Sequence, residues 1–353
     1  YFEARDAPGS NLRREFEMMQ ALQRKGVPYA ASIWWLPEWM LADPNMKPRS
    51  EHRRRVGIGK WEELLESVGS YLLYAKKRYG AEPDLFSFNE ANIGVYVLFD
   101  PEEHREAIKS FGAHFRRLGL KTKMLLADAT GPDGTYTYAL PAANDAEALQ
   151  YCGAVAFHSW GGTTPERYRL WGEVAEWLNL PLLVAEAGVD AQAHRERRYD
   201  SFHYGLREVK QYQDLLEHAR PQGIIYWEYT SDYGLARVSR EGGQEVVEPT
   251  SRFHFMRHWA NLTPRNSDNL SAETSHHQVR VTAFRGAEGF TVHIANLGPA
   301  RELVLEGLPA ASYRQVVTSA TEGFVEKSRV EASPQATRLA LPGRALITLT
   351  TVR

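Results

Sequence analysis

The chain has 353 residues, of which 43% are hydrophobic and 24% are charged, and its formal net charge is −2. These values are ordinary for a globular protein, and so small a net charge gives no field that would attract nucleic acid or an anionic membrane. No stretch approaches the ~18 apolar residues of a membrane span, and the length favours two domains. We therefore expect a small molecule or a neutral polymer as the partner.

Six short apolar runs alternate with segments of helical periodicity, which is the pattern of repeated βα units. Before the first run, residues 1–4 resemble the tail of a strand and residues 11–24 a helix. The predicted strands are 29–35, 85–89, 123–128, 154–159, 182–186 and 223–229. The predicted helices between and after them are 61–78, 101–118, 165–178, 201–218 and 251–259.

Most of the six runs are apolar throughout, as expected for a parallel sheet that helices cover on both faces. An α/β fold of the closed (β/α)₈ TIM barrel type is the economical architecture, but that barrel needs eight strands. We therefore expect the chain to enter the barrel late. A preceding segment or a second chain would supply the first one or two strands.

The composition changes at residues 261–269, a polar stretch that contains Pro264. Beyond it, short strand-like runs follow one another at the spacing of a C-terminal β-sandwich. The sequence thus predicts a barrel domain at 1–262 and a sandwich domain at 263–353. The predicted sandwich strands are 278–284, 290–296, 302–305, 313–318, 324–330 and 345–352.

Two glutamates lie where predicted strands end, Glu90 after the second run and Glu186 at the end of the fifth. In a TIM barrel the C-terminal strand ends form the active site. Cleavage of a glycosidic bond needs one carboxyl group to protonate the leaving oxygen and, in retaining enzymes, a second ~5 to 5.5 Å away to attack. Taken singly, Glu90 could cap a turn and Glu186 could pair with a loop arginine, but together they favour catalysis.

Further strand-end residues are candidates for binding a sugar. The Asn89 amide can hydrogen-bond a hydroxyl group, and Asp128 is an additional strand-end acid. His158 either orients a carboxylate or a substrate hydroxyl, or is a structural histidine bonded to backbone. Aromatic faces pack on the C–H face of a pyranose, so the candidate stacking residues, any of which could instead belong to the core, are Trp35, Trp160 and Trp227.

The order of these motifs resembles the retaining glycoside hydrolases of clan A. A predicted strand that ends in Asn-Glu, at 86–90, is followed by strands that end in His at 157–158, in Glu at 183–186 and in Trp at 225–227. The resemblance implies that Glu90 ends barrel strand four as the acid/base and that Glu186 ends strand seven as the nucleophile. The six runs would then be strands three to eight, in agreement with the strand count.

Within the clan, the segment Trp-Leu-Pro-Glu-Trp-Met at 35–40 is similar to the Pro-Pro-x-Trp-Met segment of family 30, the glucosylceramidase and xylanase group. The chain departs from that pattern at Leu36, which replaces the first proline. A Val-Thr-Ser segment at 317–319, in the predicted sandwich, is also similar to that family.

The hypothesis from the sequence is a retaining β-glycosidase that acts on a glycoside or an oligo- or polysaccharide. The alternatives are a catalytically inactive barrel that binds carbohydrate, and a barrel with metal-dependent chemistry. We expect no metal or other cofactor, because His254 and His258 have a zinc-like spacing but no acidic partner in the pattern. We also expect a secreted or periplasmic protein. Two basic loops over the same barrel face are either solvated or specific for an acidic sugar, and they contain Arg53–Arg55, Arg195 and Arg197–Arg198.

Overall fold

The computed structural model describes residues 1–43, 54–94, 97–193, 195–196, 198–229 and 233–353. The chain forms two compact units. The first combines Tyr1–Ala187 with Pro221–Ile225, and the second combines Gly188–Arg220 with Tyr226–Arg353. The domain division at residue 262 remains a prediction.

A six-stranded sheet is built mainly from the first unit, in the order β1-β2-β3-β4-β5-β6. The pairs from β1 through β5 run parallel. Six of the seven residues of β3 are buried and none of β4 is exposed, as expected for strands covered on both faces. The α/β fold with these strands is confirmed, whereas closure into an eight-stranded barrel stays a prediction. The strands are β1 Ala30–Ile33, β2 Leu85–Phe88, β3 Lys123–Ala129, β4 Cys152–His158, β5 Leu182–Ala187 and β6 Gly223–Tyr226.

Several helices of the first unit begin at recognisable caps. Ser10 accepts from the N–H of Arg13, and Asp100 and Glu103 form a capping box before and within the first turn of α4. The helices are α1 Phe2–Arg5, α2 Asn11–Arg24, α3 Trp61–Tyr74, α4 Pro101–Arg117, α5 Leu140–Ala143, α6 Ala146–Leu149 and α7 Pro165–Leu178. A π-helical turn, Ala75–Tyr79, continues α3, and 3₁₀ turns cover Glu38–Met40 and Thr135–Ala139.

The expectation that the first residues form the tail of a strand is wrong. Phe2–Arg5 is a single helical turn, closed by a hydrogen bond from the Asp6 N–H to the Phe2 carbonyl at 2.8 Å. The Asp6 carboxylate accepts from the hydroxyls of Tyr74 and Tyr79 at 2.8 and 2.6 Å and pairs with Arg13. These contacts hold the residues after the turn against the end of α3 and the π-helical turn that follows it, so no strand forms there.

Helix α4 packs on β2, the strand that leads to Asn89 and Glu90. Its Phe111 ring stacks on Phe86 at 5.7 Å and meets Phe88 edge-on at 5.1 Å. Gly112 lets the helix approach Tyr151, since a Cβ there would lie 2.1 Å from the tyrosine ring. Large, dry aromatic contacts of this kind hold the end of β2 in one position.

Among its described residues, the second unit contains two helices, a hairpin and a β-sandwich. Its larger sandwich sheet has the order β14-β13-β16-β11-β10-β9, and β12 pairs with β15. Side chains of both sheets, among them Ile294, Ile347 and Leu339, share one core. The elements are α8 Phe202–Asp214 with a π-helical turn Leu215–Ala219, β7 Ala236–Glu241, β8 Gln244–Pro249, α9 Ser251–Leu262, β9 Asp268–Leu270, β10 Val279–Gly286, β11 Gly289–Asn296, β12 Arg301–Leu305, β13 Ser312–Thr318, β14 Val325–Glu331, β15 Thr337–Leu341 and β16 Ala345–Thr350.

A buried ion pair connects the two helices of this unit. The guanidinium of Arg252 on α9 donates to both carboxylate oxygens of Glu208 on α8, at 2.7 and 2.8 Å. Its remaining Nη1 donates to the Tyr233 carbonyl at 2.7 Å. Both charged side chains are nearly inaccessible, so each depends on the other for its hydrogen bonds.

Within the ranges described, no helix combines the length and apolar character needed to cross a membrane.

Candidate active site

The C-terminal ends of four neighbouring strands carry most of the predicted site residues. Because these strands are parallel, their ends meet at one edge of the sheet. All five residues at this edge belong to the first unit. Asn89 and Glu90 follow β2, Asp128 lies near the end of β3, His158 ends β4, and Glu186 lies near the end of β5.

The imidazole of His158 is at the centre of the site and is 0% exposed. Its Nδ1 lies 3.1 Å from Oε1 of Glu90 and 3.2 Å from Oε2 of Glu186. Its Nε2 lies 3.0 Å from Oδ1 of Asp128. Burial would lower the pKa of His158, but hydrogen bonds to Asp128, Glu186 and Glu90 raise it well above 6.5. The ring is therefore an imidazolium that directs both N–H groups at carboxylates.

Asp128 is held from its other side by a serine. The Ser87 hydroxyl donates to Oδ2 of Asp128 at 2.7 Å and lies 3.0 Å from the hydroxyl of Ser32. Asp128 and Ser87 are both buried. A carboxylate fixed in this way orients the imidazole and favours its charged form.

Glu186 is almost fully buried and receives two donors on one oxygen. The indole Nε1–H of Trp160 donates to Oε2 at 3.0 Å, and His158 approaches the same atom. Burial raises the pKa of Glu186 above 4.5, and the charge of Glu90 adds to that rise, while His158 and Trp160 oppose it. The donors thus stabilise the ionised carboxylate in a place where burial alone would protonate it.

Glu90 is the more accessible of the two glutamates. Its side chain is 14% exposed, against 8% for Glu186. Its backbone is left-handed, with φ at 50°, and its N–H donates to the Asp128 carbonyl at 3.2 Å. The backbone of Glu90 is therefore tied directly to the neighbouring strand end.

The two glutamates and His158 form one compact group. One oxygen of each carboxylate and one nitrogen of His158 all lie within 4.8 Å of one another. Three such side chains could in principle ligate a divalent metal. A ligating histidine must offer a lone pair, so such an ion would bind only the neutral ring, whereas the imidazolium donates from both nitrogens. The imidazolium already supplies the positive charge that a metal would bring.

The remaining predicted residues are placed as follows. Asn89 is 4% exposed at the end of β2. Trp35 is 57% exposed, and the Arg54 guanidinium lies 5.4 Å from its ring centre. Trp227 directly follows β6 and belongs to the second unit. The structure thus brings Glu90, His158, Asp128, Trp160 and Glu186 into direct contact.

Each of the two basic loops contains an arginine that pairs with acidic neighbours, and in the first loop Arg54 is 4% exposed. Arg195 is exposed. Arg53 and Arg197 lie outside the described residues. Arg55 pairs with Asp100 and Glu103, and Arg198 pairs with Asp190 and Glu196.

Sequence reasoning missed two residues that support the site. Ser87 is a polar residue in the middle of a buried aromatic strand, and that interruption is a signal that could have found it. His104 lies on the buried face of α4, and its Nε2 accepts from the N–H of Ala127 at 3.0 Å. Nothing local in the sequence distinguishes it from an ordinary core histidine.

No protein-family model and no curated protein matches the chain. Solved structures do match its fold. A family 30 endoxylanase from Clostridium papyrosolvens C71 superposes with a TM-score of 0.75 at 18% identity, covering 95% of this chain and 82% of that one. A family 30 subfamily 8 xylanase from Clostridium acetobutylicum gives 0.76 at 15% identity, covering 97% and 86%.

A family 39 β-xylosidase from Caulobacter crescentus is also similar, with a TM-score of 0.63 at 15% identity and coverage of 96% and 83%. Identities this low establish a common fold and nothing finer. The resemblance inferred from the strand-end motifs is thereby confirmed at the level of the fold, and this chain has the fold of the family 30 and family 39 glycoside hydrolases.

Proposed function

We propose that this protein is a retaining glycoside hydrolase that cleaves a β-glycosidic bond, with Glu186 as nucleophile and Glu90 as general acid/base. The observation that carries the proposal is the pair of carboxylates within 4.8 Å at the ends of β2 and β5. That spacing suits direct attack, whereas inverting enzymes keep their carboxyl groups ~6.5 to 9.5 Å apart to admit a water.

The environments of the two glutamates support this division of roles. Glu186 accepts from Trp160 and His158, which favour the anion that a nucleophile needs. Glu90 is more accessible, as required of a group that first donates a proton and then exchanges with water.

The reaction proceeds by two displacements at the anomeric carbon. Glu90 protonates the departing glycosidic oxygen while Glu186 attacks the anomeric carbon, so that the C–O bond to the leaving group breaks as an ester bond to Glu186 forms. In the second step Glu90, now ionised, removes a proton from water as the water attacks that carbon. The sugar is released with its original configuration, and Glu186 leaves as a carboxylate.

The proposed substrate class rests on an exposed aromatic residue, a buried strand-end amide and the fold. Trp35 offers an exposed face for stacking on a pyranose, and Asn89 offers an amide for a sugar hydroxyl beside the reacting carbon. Trp160, His158 and Asp128 complete the proposed binding set, and Trp227 is proposed separately as a stacking residue. Proteins of this fold include enzymes described as xylanases, a β-xylosidase and an endo-β-1,6-glucanase. We propose a β-linked oligo- or polysaccharide as substrate.

Two further proposals concern organisation and location. We assign residues 1–262 to the catalytic domain and 263–353 to the sandwich domain, and we propose an exported protein. The second proposal is supported by a solved structure of similar fold that is described as a conserved exported protein from Bacteroides fragilis.

The proposal is tested with aryl β-glycosides and azide. Glu90→Ala should lose activity on substrates with poor leaving groups, and azide should restore turnover with a β-glycosyl azide as product. Glu186→Ala should lose all turnover, and azide should then give the α-glycosyl azide. Glu102→Ala, at an exposed position on α4, is the matched control and should behave as wild type.

Two results would contradict the proposal. Wild-type protein that binds a β-glycan without cleaving it would support the inactive, carbohydrate-binding alternative. An α-configured first product from wild type would show inversion and would remove Glu186 from the role of nucleophile.

A further inference from the structure

The end of β3 departs from regular strand geometry where Asp128 enters the site. Ala127 and Asp128 have φ values of 75° and 52°, and the register against β4 shifts between Ala127 and Ala129. Residues other than glycine seldom adopt this left-handed region, so the surroundings must hold it. A bulge of this kind re-aims one side chain relative to the rest of the strand.

The backbone of the bulge is fixed from two directions. The Asp128 carbonyl accepts from the Glu90 N–H at 3.2 Å. The Ala127 N–H donates to Nε2 of His104, which reaches it from α4 at 3.0 Å. The first bond ties the bulge to the strand that carries Glu90, and the second ties it to a helix outside the site.

His104 is suited to be a permanent acceptor. It is 1% exposed, and its ring stacks on Tyr138 with centres 4.9 Å apart. Because Nε2 accepts, the neutral ring carries its proton on Nδ1. Burial lowers the pKa of His104 to about 4, against a smaller opposing effect of Asp128, so the accepting form persists at neutral pH.

We propose that His104 is a positioning residue of the site: by holding the bulge at Ala127, it aims the Asp128 carboxylate at Nε2 of His158 and thereby sets the charge of His158 and the electrostatics of Glu90 and Glu186. His104 acts through Asp128 and not on the substrate. The expected effect on turnover rests on the proposed function, whereas the effect on His158 does not.

Two substitutions separate the acceptor from the shape of the ring. His104→Phe keeps a flat ring beside Tyr138 but removes the acceptor. His104→Gln offers an amide oxygen in place of Nε2. Tyr138→Phe is the matched control, because it keeps the stacked ring and removes only a hydroxyl group.

The primary measurement is the pKa of His158, determined by an NMR titration of protein that carries ¹⁵N-labelled histidine. The signals of His158 are identified by their absence in His158→Asn. We expect His104→Phe to lower the pKa of His158 by about one unit or more, since a misaimed Asp128 no longer favours the imidazolium. His104→Gln and Tyr138→Phe should leave it near the wild-type value. The three variants should rank in the same order in kcat for an aryl β-glycoside. We expect His104→Phe to lose about tenfold in kcat with little change in KM.

A second variant covers the case in which His104→Phe does not fold. Ala127→Gly lets the bulge adopt its left-handed conformation without steric cost. Combined with His104→Phe, it should restore folding together with part of the His158 pKa and of kcat.

The outcomes distinguish the two proposals. An unchanged His158 pKa in folded His104→Phe, or an equal loss in His104→Gln, would overturn the positioning role. Absence of glycoside cleavage in wild type would instead overturn the proposed function, and the His158 titration would still decide the role of His104.

Discussion

Replacement of Trp160 by phenylalanine tests how the protein keeps its proposed nucleophile ionised. The substitution removes the N–H that donates to Glu186 Oε2 at 3.0 Å and keeps a smaller aromatic ring. Burial already raises the pKa of Glu186, and Trp160 is one of the groups that oppose this rise. Its loss must therefore raise that pKa further.

The size of the effect follows from the energy of the lost bond. A hydrogen bond to a charged group contributes ~1.5 to 3 kcal/mol, and one pKa unit corresponds to about 1.4 kcal/mol. Because His158 still approaches the same oxygen, we take the lower end and expect a rise of about one unit. The sign is fixed: a nucleophile must be ionised, so its activity is lost as pH falls through its pKa.

The assay is the pH profile of kcat/KM for an aryl β-glycoside, whose acidic limb reports the essential base of the free enzyme. In Trp160→Phe that limb should move to higher pH by about one unit, whatever the value of kcat/KM above neutral pH. Since the two glutamates interact, the limb gives a macroscopic value for the pair, and the shift is the informative quantity. Trp177→Phe, at a tryptophan 60% exposed on α7, is the control. An acidic limb that stays in place or moves to lower pH would refute the reasoning.

Two predictions concern stability. Glu208→Gln leaves the buried Arg252 guanidinium without its counter-charge and should lower the free energy of unfolding by ~3 to 5 kcal/mol in urea titrations; a loss below ~1 kcal/mol would mean that water reaches the pair. Gly112→Ala places a Cβ 2.1 Å from the Tyr151 ring and should cost ~1 to 3 kcal/mol by the same measurement. That cost should vanish in a Tyr151→Ala background. A loss of stability that persists there would show that it originates in the helix backbone and not in the contact with Tyr151.

The sequence predicted the central sheet well because burial on both faces produces long apolar runs. Each of the six runs overlaps one of β1 to β6, with ends that differ by a few residues. The hairpin of β7 and β8 was missed for the opposite reason. Ten of its twelve strand residues are exposed, so they carry no apolar pattern. The strand Thr337–Leu341 was missed because five alternating residues are a weak signal between polar turns.

The positions of the two glutamates were predictable and their connection was not. Both lie at strand ends, which follows from local pattern alone. The imidazole that joins them is 68 residues from Glu90 in the sequence, and its partner Asp128 reaches it only through a bulge. A bulge depends on tertiary contacts such as the Ala127–His104 hydrogen bond, so single-sequence patterns do not show it.

The imidazolium explains how two carboxylates can lie so close in a buried place. At 4.8 Å and an effective dielectric constant of ~20, two full negative charges would repel by roughly 3 to 4 kcal/mol. A positive charge within 3.2 Å of both groups attracts an ionised carboxylate by roughly 5 kcal/mol on the same scale, which favours an ionised Glu186 while Glu90 carries the proton that it donates. Burial lowers the pKa of His158, and Asp128, fixed by Ser87, is a further anion that raises it. The buried polar residues at these strand ends therefore form one electrostatic unit, in which removal of any member changes the charge that Glu186 can carry.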